Sequence, residues 1–457
     1  MTVKKEKSDI FSRIFTSRLF VITTLIIYAL PLIGMWSSMV SVPSGTSDAA
    51  NVHQSPLVRI HSAPRSRTQQ DAIAVEAVAL QYMHALLRQN YQQMWLLLHP
   101  QMRVKWSNEA AFANFWKVRY QDYTLSTFTL GEASALDYWV DPETMIQYDG
   151  VEELRVSLDI RPKLLSALLP PEDLHPNQVM QNLPFVVQYF TSQNGGAWFV
   201  LDGGPADPEA PILPPTTPPK KSVAVPILMY HYITDVIPPG YMALWNLAIK
   251  HFSQQMDYLA QQAYHTITFN QLMNALYYGG PLPSKPVILT FDDGQEDGYQ
   301  NAYPILLRHH FSAMFYIVSG WVGRKGQMTW PQLHEMLAHG MQMGSHTVHH
   351  PDLAYVLPYS PNRAQQEFQQ SQQVLQQNLG MVIQHFCYPY GEPFYLGGQI
   401  QRQQVVTFLA ADGYVDATVA VGAVSGITQR AQQPFMLPRV PVFGPESIWQ
   451  FERSLPW

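Results

Sequence analysis

Cysteine is nearly absent. Cys387 stands alone, which rules out an intrachain disulfide and leaves the redox compartment unread. Charge is sparse as well: 14% of the 457 residues are charged and the formal net charge is −6, so no basic field exists to hold nucleic acid by counterion release. What is abundant is apolar. With 47% hydrophobic residues the chain can bury a sizeable core, which excludes a disordered scaffold, and its length suggests about three units.

The N-terminus bears on the compartment. Lys4, Lys5, Lys7, Arg13 and Arg18 precede the uncharged run "LFVITTLIIYALPLIGMW", Leu19 to Trp36, against only Glu6 and Asp9. Positive charge before an apolar run predicts insertion with the N-terminus inside. The run is about as long as a bilayer core requires and longer than the apolar part of a cleaved signal peptide. The expected organisation is a cytoplasmic tail and uncleaved single-pass anchor over 1–42 and a polar linker over 43–67, with everything later extracytoplasmic. Secretion after a cut following Ala49, in "SDAAN", is the alternative.

Two larger segments follow. "DGGPADPEAPILPPTTPPKK" predicts a semi-rigid extended spacer over 205–222, because proline fixes φ and removes backbone donors. Before it, "DAIAVEAVALQYMHALLRQ" places Ile73, Val75, Val78, Tyr82, Ala85 and Leu86 close to helical spacing. Strand-like runs then take over, the last pair flanking "NGG" as a hairpin. Helices first and strands afterwards predict a small α+β domain over 68–204. With "YQQMWLLLHPQ" and "AWFVLDGGP", that order resembles the cone-shaped fold of the nuclear transport factor two superfamily. No paired acids or metal-spaced histidines occur there, and His84 and His99 read as isolated surface or core residues.

From 223 to 457 short apolar runs alternate with amphipathic stretches, which predicts a mainly parallel α/β sheet, open or closed. In closed β/α barrels the chemistry sits where strands end and loops begin. There "LTFDDGQEDGY" sets Asp292 beside Asp293, and "GSHTVHHPDL" sets His346 four residues before His350. If a helical turn carries the two histidines, their rings share a face and can share a metal. Two histidines and one acid make the three protein ligands of a catalytic zinc site, and the second acid is left to take a proton from water. A strand-end cap or a calcium loop "DDGQED" is the plainer reading of the acid pair. His349 reads as solvent-facing or as a support for the ligands.

"VPILMYHYI", "VILTFDDG", "MTWPQLHEMLAHGMQMGSHTVHHPDL" and "FCYPYGE", in that order, resemble the successive motifs of the NodB-type polysaccharide deacetylases, carbohydrate esterase family four, nearest to the poly-N-acetylglucosamine deacetylases. The resemblance implies a distorted (β/α) barrel that removes acetyl groups from polysaccharide with a divalent metal. Zinc is the metal expected, although ligand type does not separate it from cobalt or nickel. Asp292 matches the catalytic base, and Asp293, His346 and His350 match the metal triad. Tyr390 matches the residue whose backbone N–H helps hold the oxyanion; Tyr388 and Tyr390 read equally as wall aromatics for a sugar.

Two departures bear on mechanism. The family's base-orienting arginine is replaced by Cys387, and Arg439 in "MLPRVPV" is the candidate substitute. The late histidine acid is missing, and His231 in "MYHYI" takes its place as candidate. The expected function is therefore removal of N-acetyl groups from N-acetylglucosamine-containing polysaccharide, with acetylated glycan and membrane as partners, no nucleic acid, and no indication of oligomeric state. A catalytically weak wall-carbohydrate-binding protein and an O-acetyl polysaccharide esterase are the alternatives.

Overall fold

The computed structural model describes residues 57–61, 68–163, 179–192, 195–236, 240–419 and 426–457. The expected anchor at Leu19 to Trp36 and the cut after Ala49 lie outside the described residues. Among those described, no helix is long and apolar enough to cross a membrane. All of them belong to one compact unit, Ser55–Trp457.

The first lobe opens with a helix, Gln69–Leu87, started by a reciprocal cap in which Thr68 accepts from the Asp71 amide and the Asp71 carboxylate accepts from the Thr68 amide. Its buried face is Val75, Ala79, Tyr82, Met83 and Leu86, whereas Ile73, expected on that face, points outward at 62% exposure. The helices Tyr91–Leu97 and Glu109–Arg119 follow, and then a mixed sheet. Its strands are β1 (Arg59–His61), β2 (Tyr123–Leu130), β3 (Ser134–Val140), β4 (Gln147–Pro162), β5 (Leu183–Ser192) and β6 (Gly195–Gly203). Long β4 serves as the spine: β3 pairs its first half, β2 its second, and β5 and β6 continue the other edge as an antiparallel hairpin.

The second lobe is built on β7 (Ile227–Tyr230), β8 (His265–Thr266), β9 (Pro286–Phe291), β10 (Met314–Ile317), β11 (Gln342–Ser345), β12 (His385–Cys387), β13 (Asp416–Thr418) and β14 (Val440–Pro441). The order is β13-β12-β11-β10-β9-β7-β14, with β8 beside the start of β9, and every pairing is parallel. Parallel strands covered on both faces need continuous apolar runs, and "PVILTF" of β9 is buried at all six positions. The sheet curls until its ends meet through one irregular segment. Leu437 exchanges backbone hydrogen bonds with Ala417 and Val419 beside β13, and three residues later Val440 pairs with Leu228 of β7.

The first half of the proline-rich stretch, Pro205 to Leu213, is packed against the lobes instead of forming the free spacer its composition predicts, whereas Pro214, Thr216, Thr217 and Pro218 are exposed. Ala210, Ile212 and Leu213 are at most 5% exposed, and side chains from both lobes bind the carbonyls along the stretch. Arg119 donates to the Ala210 and Pro211 oxygens at 2.8 and 2.9 Å, Tyr123 to Pro214 at 3.1 Å, and Asn274 and Asn270 to Pro208 and Glu209, each at 2.7 Å. Tyr278 donates to Leu213, and Gln384 clasps both backbone groups of Ile212. Proline supplies carbonyls without N–H donors, so a buried proline strap needs such side-chain donors. One apolar cluster accordingly runs from Phe115 and Trp116 through Ile212 and Leu213 to Phe269, Met314 and Tyr316. His99 belongs to this buried interior too, capping Pro100–Arg103 through Nδ1 among the rings of Tyr148 and Phe190.

Candidate active site

Strand β9 ends at Phe291 with its last link one residue on, where the Asp292 amide donates to the Tyr230 oxygen at 3.0 Å. Neighbouring strand residues point to opposite faces, so two adjacent acids can share a site only if the backbone turns between them. It does. Asp293 and Gly294 both take left-handed conformations, φ +72° and +73°, which is cheap for glycine and disfavoured for aspartate.

Asp292 is buried and gripped by Arg439 in a two-pronged pair, Nη1 to Oδ1 at 2.7 Å and Nη2 to Oδ2 at 2.8 Å. The same guanidinium reaches Thr290 Oγ1, the Val419 oxygen and Cys387 Sγ, the last at 3.1 Å. Thus the cation that the sequence lacks at position 387 arrives from the segment that closes the sheet between β13 and β7. Burial alone would raise the Asp292 pKa, but the Arg439 charge and hydrogen bonds hold it well below the usual carboxylate range. His231 Nε2 stands 3.8 Å from Asp292 Oδ2, with the Trp245 ring 4.6 Å from its own. Burial holds this imidazole below its ordinary pKa despite both nearby aspartates.

Asp293 faces the histidines. Its Oδ1 lies 3.5 Å from His346 Nε2 and 3.3 Å from His350 Nε2, and the two Nε2 atoms are 3.1 Å apart. Those three ligand atoms lie within 4.8 Å of one another, and so do those of Asp292, His346 and Cys387. The second group does not suit a cation, because Arg439 already occupies both Asp292 oxygens and touches the sulfur. The first does. His346 Nδ1 is 2.8 Å from the Cys387 oxygen, which makes it the donor and turns the Nε2 lone pair toward Asp293. Asp293 Oδ1 is buried without a hydrogen-bond partner, and burial and then the neighbouring His346 push His350 down to about 4, so its ring is neutral at pH 7. Burial works against charge on His346, but Cys387 and Asp293 hold its pKa well above the ordinary value, so a metal would displace a proton there; a buried carboxylate oxygen facing two imidazole nitrogens is then a donor set for a divalent metal.

The family model described as polysaccharide deacetylase matches residues 279–406, which hold both aspartates, both histidines and Tyr390. This segment is similar to the polysaccharide deacetylase family. The Bacillus subtilis protein YxkH, which carries a polysaccharide deacetylase name, is 30% identical over 172 residues, 38% of this chain and 58% of that one. A poly-beta-1,6-N-acetyl-D-glucosamine N-deacetylase of Staphylococcus aureus is 26% identical over 160 residues, covering 32% and 54%. The chain therefore spans a little over half the length of these relatives. Among solved structures, the Streptococcus pyogenes deacetylase PplD in complex with acetate superposes with a TM-score of 0.45 at 26% identity, covering 53% of this chain and all of that one.

In this site all seven residues singled out from the sequence meet, but not all by the expected route. His346 and His350 do not ride a helical turn. They sit on a loop after β11 in which Thr347 and His350 are left-handed, φ +67° and +57°, and the Thr347 hydroxyl accepts from the His350 amide at 2.9 Å. Glu367, which sequence reasoning passed over, binds this loop: Oε2 accepts from the Val348 and His349 amides at 3.0 and 2.9 Å, and Oε1 meets His349 Nδ1 at 2.8 Å. His349, with 61% of its side chain exposed, is thus a loop support. Tyr388 is no wall aromatic, for it is 1% exposed and packs on Phe386 and Phe394. Tyr390, by contrast, is left-handed at φ +58° and 56% exposed, and its ring lies 4.6 Å from that of His350. Trp321, on another side of His350, went unnoticed in the sequence, its ring 5.6 Å away.

Proposed function

We propose that the chain hydrolyses N-acetyl groups on N-acetylglucosamine-containing polysaccharide, using a divalent metal, zinc by preference, held by Asp293, His346 and His350. The observation that carries the reading is one buried carboxylate, Asp292, kept anionic and aimed by Arg439 beside a donor set whose central oxygen has no hydrogen-bond partner. The names of the Bacillus subtilis and Staphylococcus aureus relatives support the reaction and the substrate class.

A metal bound there supplies a Lewis acid for the acetyl carbonyl and eases deprotonation of water. Asp292 takes the proton from that water. Its pairing with Arg439 gives up basicity in exchange for orientation, since a base with a depressed pKa is intrinsically weaker. The backbone N–H of Tyr390, left-handed at φ +58°, is assigned to the developing oxyanion. His231, neutral at rest with Nε2 3.8 Å from Asp292 Oδ2, takes up the proton that Asp292 has removed from water and delivers it to the leaving nitrogen, so that water and the acetamide end as acetate and a free amine. We also propose that the run Leu19 to Trp36 holds the protein in a membrane with the deacetylase lobe outside.

The test is acetate release from N-acetylglucosamine oligosaccharides by the full chain, with and without chelator, alongside metal content. Asp293→Asn should lose metal and activity together. Asp292→Asn should keep its metal and lose on the order of a hundred- to ten-thousand-fold in rate. Metal loss in Asp292→Asn alone would exchange the two roles, and chelator-insensitive release would remove the metal from the mechanism.

A further inference from the structure

Fifteen large apolar side chains are strongly exposed among the described residues, and six of them gather in two segments beside the site: Tyr355, Tyr359, Tyr390, Tyr395, Leu396 and Ile400, each at least 50% exposed. The segments are neighbours in space. Gln401 Nε2 donates to the Ala354 oxygen at 3.2 Å, which ties the helix Gln399–Ala411 to the helix Leu353–Tyr359. Arg402 Nε reaches the Gly397 oxygen at 3.1 Å, and buried Glu392 accepts from the Leu396 amide, so the loop leading from Tyr390 is fastened to the same helix start.

Tyr355 and Tyr359 are four apart on one helix face, their rings 5.6 Å from each other, while Leu353 and Leu357 turn inward. Burial of the tyrosines is thus not needed to seat the helix. Neither "LAYVLPYS", Leu353 to Ser360, nor "PFYLGGQI", Pro393 to Ile400, contains a charged residue. An anionic lipid surface or a nucleic acid calls for lysine or arginine, and these segments offer none. Solvent-facing tyrosines on an uncharged surface present flat apolar rings with a polar edge, which suits the apolar face of a neutral sugar.

We infer that this surface is a shelf on which a long glycan chain lies while one of its residues sits at the metal site, with Tyr390 as the join between shelf and site. The inference rests on the proposed deacetylation for the identity of the sugar, and it deepens it: the enzyme should favour long, uncharged, N-acetylated chains over short ones.

The experiment uses the full chain with N-acetylglucosamine dimer and hexamer, measuring acetate release and, independently, binding by calorimetry. Each aromatic contact is worth about 0.5–1.5 kcal/mol, so Tyr355→Ala/Tyr359→Ala and Tyr395→Ala should each reduce the hexamer's advantage in KM, and in binding, by about two- to tenfold. The substituted positions are exposed, so folding is not at stake. An unchanged hexamer-to-dimer ratio overturns the shelf. So does a wild-type dimer that these variants convert to monomer in sedimentation, which would assign the surface to a second copy, or vesicle flotation that they abolish, which would assign it to lipid. If no acetate is released from either sugar, the deacetylation reading fails, and the binding ratio still decides the shelf.

Discussion

Replacing Arg439 by methionine isolates the most heavily committed side chain of the site. Arg439 makes two charge-assisted bonds to Asp292, at 2.7 and 2.8 Å, and both residues are at most 4% exposed. Removing one partner of such a pair leaves an uncompensated buried charge, and the cost is about 3–5 kcal/mol, far above the ~1 kcal/mol of a surface bridge. Urea unfolding at about pH 7, with the slope m checked for two-state behaviour, should show that loss. Asp292→Leu/Arg439→Met, which removes both charges, should recover at least half of it. The pH dependence should also change sign. In the wild type the Asp292 pKa is depressed, so its stabilisation is present above the unfolded value and lost as pH falls through the folded one. Without Arg439, burial, the largest influence, is opposed only by His231 and His346, so the folded pKa should lie above the unfolded one and the single variant should lose stability as pH rises past about 4. A loss under about 1 kcal/mol, or a double variant no more stable than the single one, would refute the claim that Arg439 is there to neutralise Asp292.

Glu367→Gln should weaken metal binding by about ten- to a hundredfold, read by chelator competition, because the loop presenting His350 loses its anionic anchor; affinity within twofold of wild type would count against it. The His99 imidazole is pushed down to about 4 by burial and then by Arg103, whereas an unfolded histidine takes its proton near pH 6.5. Stability should therefore fall as pH drops between those values, by up to about 3 kcal/mol, and His99→Asn, which keeps a capping acceptor, should flatten that slope in urea titrations at about pH 7 and pH 4.5. Limited proteolysis should spare residues 205–216, and Arg119→Met, which strips the donors from the Ala210 and Pro211 oxygens, should make that stretch the first cut.

The local signals were legible where one short segment carries both the chemistry and its support. An acid pair closing an apolar run, and histidines four apart, named five of the site's residues with Tyr390. Arg439 could be nominated only because Cys387 left a charge unanswered. The path of the chain between such points was less readable. A proline run looks the same in sequence whether it is solvated or strapped down, because what decides the matter is Arg119, Asn274 and Gln384, each more than 60 residues away. Glu367 likewise sits in the glutamine-rich helix Pro361–Leu379, where nothing local marks it as the partner of amides in the loop before it. The histidine loop escaped a helical reading for a physical reason: left-handed Thr347 and His350 are unfavourable in isolation, and the contacts that stabilise them come from elsewhere.

Arg439 lies 147 residues after Asp292, on the segment that joins the two ends of the curled sheet. A ribosome that has made both aspartates and both histidines has not yet made the counter-charge that lets Asp292 be buried as an anion. That partner of Asp292 is therefore the last part of the site to be synthesised.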